Sequence, residues 1–279
     1  MRIDSHQHYW SLARGDYSWL TPALAPIYRD FGPDDLKPLL AKANIDRTIL
    51  VQAAPTEAET HYLLDLARTE PTVAGVVGWV DFDGSAVAQR IATLAGDRLL
   101  VGLRPMMQDI PDPAWMLRPT VSVAVECMLN HGLVFDALVK PVHLGPLLTL
   151  AERHPQLSIV IDHGAKPDIA LDSFSPWAED MTRLAERANT VAKLSGLVTE
   201  AGARWREADL QRYIAHILTT FGPARVLFGS DWPVLNLAGE YTGWLAIVER
   251  AISHLQPHEI AAVMGANARR IYLSKRGRI

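Results

Sequence analysis

A single cysteine, Cys127, stands in 279 residues. A lone thiol closes no internal disulfide and builds no thiolate metal site, so a reducing, cytoplasmic setting is expected. Long apolar runs are missing too. The longest stretches without Asp, Glu, Lys or Arg, residues 17–28 and 213–224, fall short of the roughly 18 a membrane span needs. The N-terminus runs straight into a strand-like segment with no apolar h-region, so no signal peptide is expected. No basic run accompanies the net charge of −4, which leaves no electrostatic footprint for nucleic acid. Gly-x-Ser-x-Gly is absent, which argues against a serine hydrolase of the α/β type. Gly-x-Gly-x-x-Gly and the Walker loop are absent as well, which argues against nucleotide-dependent chemistry.

What remains is an ordinary globular composition. Hydrophobic residues make up 49% and charged residues 21%, which excludes a disordered or fibrous chain. A chain of this length buries about three quarters of its unfolded surface and needs no staples. Short apolar runs alternate with helix-period segments from end to end. Strands are expected at residues 2–8, 47–53, 73–81, 99–105, 133–138, 157–163, 190–196 and 226–231. Several are near-continuous Val, Ile and Leu, as parallel strands covered on both faces require. Between them, Thr56-Glu57-Ala58-Glu59 has capping-box form, with both glutamates read as helix-start charges. Helices over 120–130 and 207–221 stop near Gly132 and Gly222. Residues 258–273 form an amphipathic pattern interrupted around Gly265, and Cys127 falls among core residues of a helix. Eight strands alternating with about eight helices predict a (β/α)8 barrel, with a doubly wound open sheet as the rival. No linker or repeat divides the chain, so residues 1–279 read as a single barrel domain.

Chemistry-bearing residues gather at the strand ends, where barrels of this kind carry their sites. Asp4-Ser5-His6-Gln7-His8 closes the first strand. Residues two apart on a strand point the same way, so His6 and His8 converge. The sixth strand runs into His163 and the eighth into Asp231. Structural histidines and a turn-capping aspartate would look the same in isolation. Together, three imidazoles and a carboxylate hold one divalent cation, zinc by ligand type, or work unaided. In the second case Asp231 takes a proton from water while the imidazoles stabilise an oxyanion. Both versions activate water against a carbonyl, so hydrolysis is the expected reaction class.

These residues carry a resemblance. Ile3-Asp4-Ser5-His6-Gln7-His8, Gly102-Leu103-Arg104-Pro105, Asp162-His163-Gly164-Ala165-Lys166-Pro167, Lys193-Leu194-Ser195-Gly196 and Gly229-Ser230-Asp231-Trp232-Pro233 occur in this order. The set resembles the sugar-lactonase branch of the amidohydrolase superfamily, and Gly265-Ala266-Asn267-Ala268-Arg269-Arg270-Ile271-Tyr272 extends the likeness into the last helix. The resemblance implies a distorted (β/α)8 barrel that opens a small aldonic-acid lactone, L-fuconolactone above all. It implies Asp231 as general base, with His6, His8 and His163 gripping the carbonyl oxygen or a metal. The fifth strand offers no histidine and no lysine ends the fourth, so a binuclear centre is not expected. The resemblance implies that members of the branch hydrolyse lactones without a divalent cation, so metal dependence stays open, and the expectation is no required cofactor or a single bound zinc that is dispensable. The rivals are a metal-dependent decarboxylase or amidase of the same superfamily, and a non-catalytic sugar-acid binding barrel.

Substrate-binding residues are expected around this set. Arg104 ends the fourth strand, where its planar guanidinium forks onto a carbonyl or hydroxyl pair. By resemblance to the related dicarboxylate lactonase, Lys166 and Lys193 touch substrate. Lys193 also lies mid-strand, where an unpaired charge would be costly to bury. Gln52 is a polar residue at the end of the second strand. Of eight tryptophans, Trp10, Trp19, Trp79 and Trp232 lie close enough to strand ends to stack on a sugar ring, although large aromatics more often fill cores. The expected partner is a small sugar lactone, with no nucleic acid and no membrane.

Overall fold

Valine, isoleucine and leucine recur on both faces of the strand segments, and a parallel sheet buried on both sides follows from that pattern. In the computed structural model, which describes residues 1–274, the strands are β1 (Ile3–Gln7), β2 (Arg47–Val51), β3 (Val73–Gly78), β4 (Leu100–Leu103), β5 (Val134–Ala137), β6 (Ile159–Ile161), β7 (Thr190–Leu194) and β8 (Val226–Phe228). All eight expected strands are present, each ending earlier than the apolar pattern does. They pair in parallel in chain order, β1 to β8. The outer layer consists of α1 (Pro33–Ala43), α2 (Glu57–Thr69), α3 (Val87–Ala95), α4 (Pro119–Asn130), α5 (Leu144–Arg153), α6 (Ser175–Ala185), α7 (Leu197–Glu200), α8 (Glu207–Phe221), α9 (Tyr241–Ile252) and α10 (Pro257–Ala261). The fold is a (β/α)8 barrel, and the open-sheet alternative is set aside.

Two apolar layers hold it. One lies between strands and helices. The other fills the barrel interior, where Ile49, Val77, Val101, Val160 and Leu227 meet. Each fully buried side chain of this kind contributes roughly 1.5–3 kcal/mol of transfer free energy. The last segment, Arg269–Leu273, closes the interior layer with Ile271, Tyr272 and Leu273. It reaches there because the terminal helical pattern breaks where expected. A Cβ on Gly265 would lie 2.5 Å from the Met1 carbonyl oxygen and 2.9 Å from the Ile3 nitrogen, so only glycine lets this segment sit against the start of β1.

Two local expectations need correction. Thr56 does cap α2, its hydroxyl accepting the Glu59 N–H at 3.1 Å. Glu59, however, is buried rather than a surface helix-start charge, and its carboxylate accepts the N–H groups of Ala53 at 3.0 Å and Ala54 at 2.7 Å. Cys127 is half-buried at the edge of the core, its thiol donating to the Ala88 carbonyl at 3.2 Å. Among the described residues, no helix is long and apolar enough to cross a membrane.

Candidate active site

The site grows from the seam where the barrel closes. β8 is short, and the backbone bonds that join it to β1 form beyond its end. Asp231 N–H donates to the His6 carbonyl at 2.8 Å, and His8 N–H donates to the Trp232 carbonyl at 2.7 Å. Asp4 Oδ1 bridges the same seam, accepting from Ser230 N–H at 2.8 Å and His6 N–H at 3.1 Å, while Tyr241 donates its hydroxyl to Oδ2 at 2.9 Å. Gly229 permits the approach, since a Cβ there would lie 2.8 Å from the His6 Cβ. This lacing brings His6, His8 and Asp231 together from opposite ends of the chain.

His163 arrives on an unusual turn. Residues 163–166 all have left-handed backbone, with φ of 54° at His163, 55° at Gly164, 65° at Ala165 and 48° at Lys166. Each non-glycine residue there costs about 1–2 kcal/mol. The turn is held by Trp177 Nε1, which donates to the Gly164 carbonyl at 2.7 Å, and by Ser195 Oγ, 2.9 Å from His163 Nδ1. Asp231 is also left-handed, at φ 59°. Side chains held in strained backbone at strand ends are a common mark of functional sites.

The result is a single carboxylate oxygen facing three imidazoles. Asp231 Oδ1 lies 3.3 Å from His8 Nε2, 3.7 Å from His6 Nε2 and 3.9 Å from His163 Nε2. His8 Nδ1 stands 2.8 Å from the Val51 carbonyl, which can only accept, so Nδ1 carries the proton and Nε2 faces inward. Burial pulls His6 well below the ordinary imidazole range, further than Asp162 can restore. Burial likewise lowers His163 against the pull of Asp231. Both rings are therefore neutral near neutral pH. Burial acts to raise Asp231, but His163, His8 and Lys166 outweigh it and hold the carboxyl below its ordinary value, as a carboxylate.

Beneath His6 lies a buried charge network. Lys193 Nζ is 2.6 Å from Asp136 Oδ2, 2.9 Å from Asp162 Oδ1 and 3.2 Å from His6 Nδ1. Tyr272 donates its hydroxyl to Asp136 at 2.8 Å. Burial pushes Asp136 up to about 6 despite Lys193. Burial would also raise Asp162, but Lys193, His6 and Arg104 hold it well below the ordinary carboxylate range. Arg104 Nη1 sits 3.3 Å from His6 Nε2 and 3.6 Å from Asp162 Oδ2, and Nη2 donates to the Gln52 carbonyl.

Above the four residues opens a cavity of about 460 Å³. His8, His163 and Asp231 line it together with the cations Arg104 and Lys166 and the apolar side chains of Trp19, Leu24, Met106, Val234 and Leu237. A groove of about 560 Å³ between α8 and α9, on the outside of the barrel, shares no lining residue with it.

Five expected substrate contacts lie elsewhere. Trp10 is buried, its N–H donating to the Arg29 carbonyl at 2.8 Å, and its ring backs Trp19 edge-on at 5.6 Å. Trp232 packs between Tyr9 and Phe31. Trp79 is half-buried beside Thr60, which takes up its backbone N–H and carbonyl. Gln52 turns its amide to the Arg104 carbonyl at 2.7 Å and so braces Arg104 from outside the cavity. Lys193 is paired within the barrel, which answers the cost of burying it without any contact to the cavity. The apolar packing of large rings decided the tryptophans, as it usually does. Sequence reasoning missed Asp136, Asp162 and Glu200. The first two carried a signal, a carboxylate inside a buried strand and another at a strand's end, of the same kind that drew notice to Lys193.

The chemistry of the donor set suits one divalent cation. His6, His163 and Asp231 each offer a ligand atom, all within 4.8 Å of one another, with neutral imidazoles and an ionised carboxylate. Three protein ligands with a position left open is the pattern of catalytic rather than structural zinc.

Comparison with known proteins agrees with this geometry. The profile of a family described as amidohydrolase matches residues 3–273. An L-fucono-1,5-lactonase of Burkholderia ambifaria is 46% identical over 275 residues, covering 97% of this chain and 95% of that protein. An L-fucono-1,5-lactonase of Burkholderia multivorans is 36% identical over 286 residues, covering 98% and 96%. The crystal structure of a Burkholderia multivorans amidohydrolase with bound zinc superposes with a TM-score of 0.92 at 37% identity, covering 98% of this chain and 99% of that one.

Proposed function

The chain belongs to the amidohydrolase family, and from that premise we propose that it hydrolyses a small aldonic-acid lactone, L-fuconolactone above all, to the open-chain sugar acid. The observation that carries the reading is one ionised carboxylate oxygen within 3.9 Å of three imidazole Nε2 atoms, on a residue that lines a cavity of about 460 Å³. Its similarity to two L-fucono-1,5-lactonases over nearly its whole length supports the substrate.

The lactone carbonyl oxygen rests beside His8 and His163, which line the cavity, with the Arg104 guanidinium supplying fixed positive charge and His6 buried beneath, its Nε2 3.3 Å from Arg104. Water stands at Asp231, whose Oδ1 takes one proton as the water oxygen bonds to the carbonyl carbon. The tetrahedral intermediate collapses by breaking the bond to the ring oxygen, and Asp231 returns its proton to that oxygen. The product carboxylic acid then ionises and releases one proton to solvent. Lys166 holds substrate hydroxyls at the polar wall, and the Trp19 side of the cavity covers the apolar face of the ring. A divalent cation held by His6, His163 and Asp231 would polarise the carbonyl and acidify water. The Arg104 guanidinium supplies fixed positive charge in its absence, so we read such a cation as dispensable.

The test is acid release from a panel of aldonolactones, followed with a pH indicator on chelator-treated protein. L-fuconolactone should be opened without added metal. Acid release from no lactone, with or without zinc restored, would overturn the assignment. Activity that returns only with zinc would remove metal-independent water activation.

A further inference from the structure

At the rim of the cavity, Lys166 Nζ and Glu200 Oε1 stand 3.0 Å apart, with side-chain exposures of 22% and 24%. Lys166 projects from the left-handed turn after β6, and Glu200 is the last residue of α7 after β7. Both line the cavity. The pair is neither surface decoration nor core filling, and the proton transfers proposed above do not use it.

Its meaning follows from the charges that share the wall. Among the described residues lining the cavity, the fixed cations are Arg104 and Lys166, and the acids are Asp109, Glu200 and Asp231. Arg104 is countered from below by Asp162 at 3.6 Å. Among the described residues Lys166 is the sole lining ammonium, and Glu200 already occupies it. A ligand that brings a carboxylate of its own therefore finds no uncommitted cation, and it adds negative charge to a wall where carboxylates outnumber cations. A neutral polyol lactone meets no such penalty, and the ion pair offers it both acceptors and donors. Specificity of this kind is built by placing an unfavourable charge against the wrong ligand.

We propose that Glu200 is a specificity-determining residue, the counter-charge that excludes lactones bearing a free carboxylate and reserves the site for neutral aldonolactones. The proposal deepens the lactonase reading and rests on it for the identity of the preferred ligand. Freed of Glu200, Lys166 would become a ready partner for a substrate carboxylate, as ammonium groups are for anions generally.

The experiment compares wild type, Glu200→Gln and Glu200→Asp on L-fuconolactone, which is neutral, and on galactarolactone, which carries one carboxylate. Calorimetric titration with galactarate and a thermal melt accompany the kinetics. Glu200→Gln should raise the ratio of kcat/KM for the anionic over the neutral lactone about tenfold, mainly through KM, and the gain should shrink as salt is added. Glu200→Asp, which keeps the charge, should leave the ratio near that of wild type. An unchanged ratio in Glu200→Gln would overturn the proposal, as would an equal rise in Glu200→Asp, which would mark shape rather than charge. Should wild type open neither lactone, the lactonase reading fails by itself. The galactarate titration then still decides the role of Glu200: about tenfold tighter binding in Glu200→Gln upholds it, and equal affinity overturns it.

Discussion

Asp231 Oδ1 and His8 Nε2 face each other across 3.3 Å, although 223 residues separate them in the chain. Neither side chain sets this distance alone. The Val51 carbonyl at the end of β2 turns the His8 ring, and the bond from Asp231 N–H to the His6 carbonyl fixes the backbone of the carboxylate. The pair is a product of the barrel seam, so its chemistry can be altered without disturbing the seam itself.

Asp231→Asn makes that separation visible. The amide keeps the shape and the backbone bond but cannot take a proton from water. Turnover of L-fuconolactone should fall by about 10²–10⁴-fold, the usual span for a positioned acid–base group. The melting temperature should stay close to that of wild type, because Asp231 makes no hydrogen bond that holds an element in place through its side chain alone. Paired kcat and thermal-unfolding measurements read both quantities. Near-wild-type turnover would strip Asp231 of the base role.

Lys193 should behave in the opposite way. Its ammonium balances Asp136 and Asp162 inside the barrel, and Lys193→Met strands both carboxylates. Removing one partner of a buried ion pair costs about 3–5 kcal/mol, which urea unfolding would register. Adding Asp136→Asn should recover part of that loss by deleting one stranded charge. The ammonium does not line the cavity, so kcat should fall through displacement of His6 while KM changes little. A loss carried mainly by KM would return Lys193 to the substrate contacts that its sequence position suggested.

That contrast shows what the chain made legible. Strand periodicity and the positions of His6, His8, His163 and Asp231 at strand ends place the barrel and its mouth, because alternation and parallel pairing are local rules. Partnership is not local. Whether Lys193 meets a substrate or Asp136 depends on which strands lie across the barrel, and nothing near residue 193 reports it. The same holds for Trp10 and Trp232, which pack edge-on against Phe31 and do not themselves line the cavity. The left-handed turn at 163–166 was hidden for a different reason. Of its residues only Gly164 has a composition that favours such backbone, and the turn exists because Trp177 and Ser195 hold it.

Glu59 gives the fold a pH dependence that runs against the usual course for carboxylates. Burial pushes its carboxyl from 4.5 up to about 7, beyond what the N–H groups of Ala53 and Ala54 offset. The folded protein thus binds this proton more tightly than the unfolded chain does. Stability from Glu59 is fully present below pH 4.5 and is lost as pH rises through about 7. Asp4, raised from 3.8 to about 6 by burial, adds a loss of the same sign over a lower window. Between about pH 5 and about pH 8 the contribution of Glu59 should fall by about 3 kcal/mol. Urea midpoints across that range should therefore decline less steeply in Glu59→Gln than in wild type, even though the amide weakens the loop at every pH by giving up one acceptor. Parallel pH profiles for the two proteins would show that Glu59 titrates in the barrel as it does in the unfolded chain, and that burial at the end of β2 leaves its proton affinity untouched.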